Sequence, residues 1–206
     1  MSGTLTEPRV REFGLTMRLN PVIQITDEQF FLLCQINKDL RLERNAEGDI
    51  IIMPPTGWET GDRNSELNMQ LRLWAKRDGS GVATDSSTGF KLPNGADRSP
   101  DAAWVLRSRL AKITSEQRKK FLPLCPDFAI ELLSPTDRLE IVQARMDEYM
   151  ECGARLGWLI DPENRRVYVY RPGAATEALK EISEISGEPE LKGFVFDLRE
   201  IWEPDI

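Results

Sequence analysis

The chain has 206 residues, 30% charged and 40% hydrophobic, with a formal net charge of −7; these proportions are ordinary for one globular domain with a full core. It contains no histidine, which excludes Ser-His-Asp and Cys-His hydrolases, histidine-dependent nucleases and histidine-bound zinc. The negative balance offers no general attraction to nucleic acid, so a polyanion would need a local basic surface or a metal ion that inverts the field.

No apolar run approaches the roughly 20 residues that span a bilayer, and the N-terminus lacks a signal-peptide core. Cys34, Cys125 and Cys152 are scattered and odd in number, which suits a reducing compartment and argues against a zinc cluster. The expectation is a cytoplasmic protein with no membrane contact.

Residues 1–20 mix charges, Gly and Pro without a period and read as a loosely ordered arm, leaving 21–206 as a single domain. Thr26-Asp27-Glu28-Gln29 is a capping-box pattern and predicts a helix over 27–37. Leu40–Arg44 and Asp49–Met53 read as a hairpin around Asn45-Ala46-Glu47-Gly48. Thr56 and Glu59 form a second candidate capping box, and Leu67, Leu71 and Trp74 mark a helix that runs to about Arg77 before Asp78-Gly79. Counted back along that stripe, Arg63 and Glu59 extend the inner face, with Glu66 beside them, so the helix can carry one more acid towards the sheet.

Val82–Asp85, Gly89–Leu92 and Ala102–Leu106 follow as strands, with Pro93-Asn94-Gly95 as a turn. Thr114–Gln117 caps a short charged helix. Phe128–Leu132 is a buried strand, and Ser134-Pro135 then starts a helix over 136–151 that Gly153 ends. Leu156–Ile160 and Arg166–Arg171 are strands, Ala178–Ile182 an edge strand, and Leu198–Trp202 a short helix. The order predicts an α/β (α+β) fold with a mixed central β-sheet flanked by helices. Trp104, Trp158 and Trp202 read as core, and Tyr168 and Tyr170 as one face of a sheet whose other face is Val167 and Val169. Asp161, before Pro162, reads as a turn residue, and Gln143 and Tyr149 as residues that position their helix.

Two acids interrupt apolar strands. Glu131 stands inside Phe128–Leu132, and Asp101 leads into Ala102–Leu106 after Ser99-Pro100. A carboxylate in such a strand is costly unless it is paired, hydrogen-bonded or metal-bound. Two neighbouring strands that each offer one carboxylate near a shared edge make a hard-oxygen pocket suited to Mg²⁺ or Mn²⁺.

The pair Pro100-Asp101 and Glu131 resembles the PD-(D/E)XK nuclease superfamily. Three stretches carry the likeness further: Gly-Phe-Lys-Leu-Pro-Asn-Gly-Ala-Asp-Arg-Ser-Pro-Asp-Ala-Ala-Trp (89–104), Cys-Pro-Asp-Phe-Ala-Ile-Glu-Leu (125–132) and Gly-Ala-Arg-Leu-Gly-Trp-Leu-Ile-Asp-Pro (153–162). Together, in this order, they resemble the cyanobacterial restriction-endonuclease family within that superfamily. The resemblance implies a restriction-endonuclease-like core and a Mg²⁺-dependent DNA endonuclease. It implies a metal held by Asp101, Glu131, the carbonyl of Leu132 and Glu59, and it is compatible with a homodimer. The superfamily's lysine, two residues after the glutamate, is here Leu133. Relatives of this family carry the lysine on the next helix in a Lys-Met-x-Glu-Tyr stretch, and this chain reads Arg145-Met146-Asp147-Glu148-Tyr149. Arg145 therefore has two readings: a phosphate clamp among the catalytic residues, or a helix-face ion pair with Glu148. Lys91 is a further candidate cation. The competing function is a nuclease-fold scaffold that binds DNA or a protein without cutting.

Overall fold

The computed structural model describes residues 14–204. Its elements in chain order are β1 (Leu15–Met17), α1 (Asp27–Ile36), β2 (Arg41–Arg44), β3 (Ile50–Met53), α2 (Trp58–Asp78), β4 (Gly81–Asp85), β5 (Phe90–Lys91), β6 (Asp97–Arg98) and β7 (Ala102–Leu106). There follow α3 (Arg107–Leu110), β8 (Phe128–Leu132), α4 (Leu139–Glu151), β9 (Leu156–Asp161), β10 (Arg166–Tyr170), β11 (Glu177–Lys180), β12 (Glu184–Ser186), β13 (Val195–Asp197) and α5 (Arg199–Trp202). A 3₁₀ turn at Gln117–Lys119 lies between α3 and β8.

The central sheet has six strands in the order β11-β10-β9-β8-β7-β4, and it is mixed: β8 and β9 run parallel, and the other neighbours antiparallel. Alternation along the strands sends residues to two separate cores. Trp104, Phe128, Ile130, Trp158 and Val167 join α2 (Leu67, Leu71, Trp74) and the C-terminal segment (Phe194, Phe196, Ile201) on one face. Ala103, Ala129, Leu159, Tyr168 and Tyr170 meet α4 (Val142, Met146, Tyr149) on the other. The parallel β8–β9 step requires a crossover, and α4 supplies it. Trp104 and Trp158 are core residues, as their strands predict.

A smaller sheet, β1-β3-β2-β6-β5, packs against α1 through Phe30, Leu42 and Ile50. The hairpin β2–β3 and the α1 capping box between Thr26 and Gln29 match the sequence pattern. Of the expected arm, residues 1–13 lie outside the described residues, while Leu15–Met17 form a strand paired with Ile50–Ile52. Two helix starts also differ. α2 is capped by Gly57 without a side-chain bond, not by Thr56. α4 begins only after Arg138, because Ser134 N–H donates to Asp137 and closes a turn there. Among the described residues no helix is long and apolar enough to cross a membrane.

Candidate active site

The antiparallel register of β7 and β8 pairs Ala102 with Ile130. One step further along the same register, Asp101 stands opposite Glu131. Each carboxylate has one oxygen fixed by a hydrogen bond. Asp101 Oδ2 accepts the backbone N–H of Leu132 at 2.9 Å, and Asn68 of α2 donates to the Asp101 carbonyl at 2.9 Å. Glu131 Oε1 accepts the hydroxyl of Tyr149, from α4, at 2.8 Å. Among the described residues the remaining oxygens meet only long ion pairs: Asp101 Oδ1 is 3.9 Å from Arg41 Nη2, and Glu131 Oε2 is 3.5 Å from Arg145 Nη1.

Arg145 lies between two acids. Its Nη2 is 3.6 Å from Oε2 of Glu43, a fully buried residue of β2. Glu43 also accepts from Ser99 N–H at 3.0 Å and faces Arg98 Nη1 at 3.3 Å. Glu148, the other candidate partner of Arg145, is engaged by Arg98 at 2.6 Å and by Asn94 at 2.8 Å. Asp101, Glu131 and Arg145 open into one cavity of about 50 Å³, which Arg41, Thr60, Asn64, Leu132 and Asp137 also line.

Burial drives the electrostatics. Desolvation pushes the Glu131 carboxyl up to about 7; Arg145 and the Tyr149 hydroxyl oppose this, and the neighbouring charges of Asp101 and Glu43 add to it. Desolvation likewise raises Asp101, against the pull of Arg41 and the Leu132 N–H. Glu43 goes the other way. Burial alone would raise it, but Arg145, Arg98 and Arg41 together outweigh burial and hold it below the ordinary carboxylate range. Tyr149 is pushed well above its usual range by burial and by Glu131, so it stays a hydrogen-bond donor.

The donor set fits a hard divalent cation. Asp101 and Glu131 both line the cavity, and among the described residues each has one carboxylate oxygen without a short hydrogen bond. Among the described residues no three acids, cysteines or histidines come together as a ready cage. Asp101 and Glu131 are two carboxylates, and Mg²⁺ is usually held by one or two with its other oxygens from water and substrate phosphate.

The structure thus brings together three of the four acid and arginine candidates, Asp101, Glu131 and Arg145. Glu59 is elsewhere: its carboxylate is 62% exposed and lies 3.4 Å from Arg63, whose Nε donates to the Ile201 carbonyl. At 100° per residue, the face of α2 that meets the cavity is Thr60 and Asn64, one residue on from Glu59. Lys91 is also elsewhere, bonded to Asp27 at 2.7 Å and to the Gly95 carbonyl. Leu133 packs with the α4-side core. Glu43 was not foreseen. Its strand reads Arg-Leu-Glu-Arg, and nothing local separates it from a solvated hairpin strand. Tyr149 does more than position its helix, because it holds Glu131.

The profile of the family described as Uma2, "Putative restriction endonuclease", matches residues 27–199. The chain is similar to the crystal structure of a putative nuclease belonging to DUF820 from Anabaena variabilis, with 22% identity and a TM-score of 0.72, over 86% of this chain and 97% of that one. At that identity the likeness shows the fold. No curated protein matches the chain.

Proposed function

The chain belongs to the Uma2 family of putative restriction endonucleases, and we propose that it hydrolyses phosphodiester bonds in DNA with the help of Mg²⁺ or Mn²⁺. One observation carries the reading: Asp101, just before β7, and Glu131, of the paired β8, line the same cavity as Arg145. Asp101 and Glu131 would hold the cation, which supplies Lewis acidity at the phosphate and a more acidic bound water.

The chain's own residues do the rest. Tyr149 fixes the direction of the Glu131 carboxylate, and the Leu132 N–H fixes that of Asp101. Arg145 supplies a delocalised charge that clamps phosphate oxygens and offsets the negative charge that grows on phosphorus. Glu43, fully buried, holds Arg145 in place. Arg41, at the Asp101 side, offers a second contact for the phosphate chain.

The test is nicking of supercoiled plasmid in Mg²⁺ or Mn²⁺. Asp101→Asn and Glu131→Gln each lower the rate by about 10³-fold or more, as loss of a metal ligand and its charge stabilisation does. Equal cutting by both variants and the wild type overturns the assignment. One observation favours a second reading, a scaffold that binds without cutting: the cation beside Glu131 is an arginine already set between two acids. Calorimetry with Mn²⁺ separates the two readings. Heat of binding that Asp101→Asn removes supports the nuclease, whereas DNA retained on a gel with no metal heat supports the scaffold.

A further inference from the structure

α2 is 21 residues long, and its two sides have different fates. At 100° per residue, Arg63, Asn68, Gln70 and Trp74 fall on the inner side, where they bond the Ile201 carbonyl, the Asp101 carbonyl, the Asp197 backbone and the Lys192 carbonyl. Leu67 and Leu71 are fully buried beside them. The outer stripe runs Trp58, Asp62, Ser65, Met69, Leu73, Lys76 at steps of three and four. Its three large apolar members stay bare: Trp58 is 67% exposed, Met69 49% and Leu73 52%. Nothing among the described residues covers them.

Charge on this outer half is sorted by position. Glu59, Asp62 and Glu66 occupy the first half of the helix, and Arg72, Lys76 and Arg77 the second. The helix macrodipole rewards that order, but it gives no reason to expose a tryptophan, a methionine and a leucine between the charges. A self-complementary surface accounts for both. Laid antiparallel on its own copy, the acidic half meets the basic half; laid parallel, like charges would meet.

We infer that this stripe is the docking surface for a second copy of the chain, α2 against α2, antiparallel about a two-fold axis near Met69. In that register the two Met69 side chains meet at the axis. Ser65, which is small, receives the partner's Leu73, and Asp62 lies beside the partner's Lys76. Such an interface is isologous, as two-fold dimers require. The opposite side of the same helix carries Thr60 and Asn64 into the acid-lined cavity. Pairing through α2 therefore ties two cavities to one two-fold axis, an arrangement that matches the two antiparallel strands of a duplex. The dimer stands whether or not the cavity cuts DNA.

Sedimentation velocity of the full chain across the micromolar range tests this without any activity measurement. The wild type is expected to dimerise. Leu73→Glu buries a charge at the centre of the contact and weakens dimerisation by about 100-fold or more, with an unchanged circular dichroism spectrum because the residue is exposed in the single copy. Asp62→Lys sets like charges together and weakens it by about tenfold, and Lys76→Asp added to it restores the wild-type value. A wild type that stays monomeric throughout overturns the inference. So does a dimer indifferent to Leu73→Glu, or a charge swap that fails to restore.

Discussion

Glu43 and Arg44 are neighbours on β2, and they enter two ion networks that differ in almost every respect. On one face of the strand, Arg44 bonds Asp97 through Nε at 2.7 Å, Asp27 at 2.5 Å and the Ile25 carbonyl at 2.9 Å. Lys91 closes the group with a 2.7 Å bond to Asp27, and the Arg44 guanidinium lies 4.9 Å from the centre of the Phe30 ring. On the other face, Arg145 stands 3.5 Å from Glu131 and 3.6 Å from Glu43, and Arg41 stands 3.9 Å from Asp101. The first network is closed: short, many-stranded bonds tie α1 and the β5–β6 hairpin to the small sheet. The second is open. Asp101 and Glu131 are buried and line the cavity, yet among the described residues each has one carboxylate oxygen with no contact shorter than 3.5 Å, and Glu131 is pushed up to about 7 by desolvation and by its acidic neighbours. Tight pairing of buried charge holds a fold together; loose pairing beside a cavity leaves a place for an incoming cation.

Arg44→Met is the strongest way to break this contrast. It leaves Asp97, which is 3% exposed, with only the 3.7 Å contact to Lys91 as a cationic partner among the described residues, and it costs about 3–5 kcal/mol, the usual result of orphaning a buried charge. Urea unfolding measures it. A cost below 1 kcal/mol would mean that the first network is as loose as the second.

The second network has a signature in pH. Glu131 is raised from an ordinary 4.5 to about 7 in the folded chain. A raised acid binds its proton more tightly when folded, so its favourable contribution is fully present below pH 4.5 and is lost as pH rises through about 7. At about 1.4 kcal/mol per unit, the loss is about 3 kcal/mol. Glu131→Gln removes that slope, so its stability relative to wild type rises between pH 4.5 and 7. Parallel stability curves for the two proteins across that window would contradict the burial of a strained carboxylate here.

Tyr149→Phe is the smallest probe. It deletes the 2.8 Å hydrogen bond to Glu131 and costs about 1 kcal/mol. The Glu131 titration, followed by carboxyl NMR, moves further up, because the bond favours the charged form. A titration that stays in place would show that the hydroxyl does not steer Glu131.

Much of the architecture was legible because its signals are local. Thr26 and Gln29 announced the start of α1 within four residues, and the spacing of Leu67, Leu71 and Trp74 announced the buried face of α2. The alternation along β8 sets Glu131 on the same face as Ala129, which packs against α4. Errors arose where a local rule competed with a distant partner. Thr56 had the spacing of a capping box, yet it lines the cavity and Gly57 caps the helix. Glu59 had the right charge on the right helix, one residue away from the face that meets the site.

The chain read alone determined the mixed α/β order, the two strand acids and the arginine that follows them, since each depends on periodicity or on a motif written within a few residues. Tertiary structure alone decided that Glu43 joins them, that Tyr149 holds Glu131, and that Arg145 leans on two acids in place of Glu148. Those contacts join residues from 14 positions apart (Glu131 and Arg145) to more than 100 (Glu43 and Arg145). They depend on how two sheets and α4 dock, and the free energy of that docking comes from burial summed over the whole core, which no short stretch of residues records.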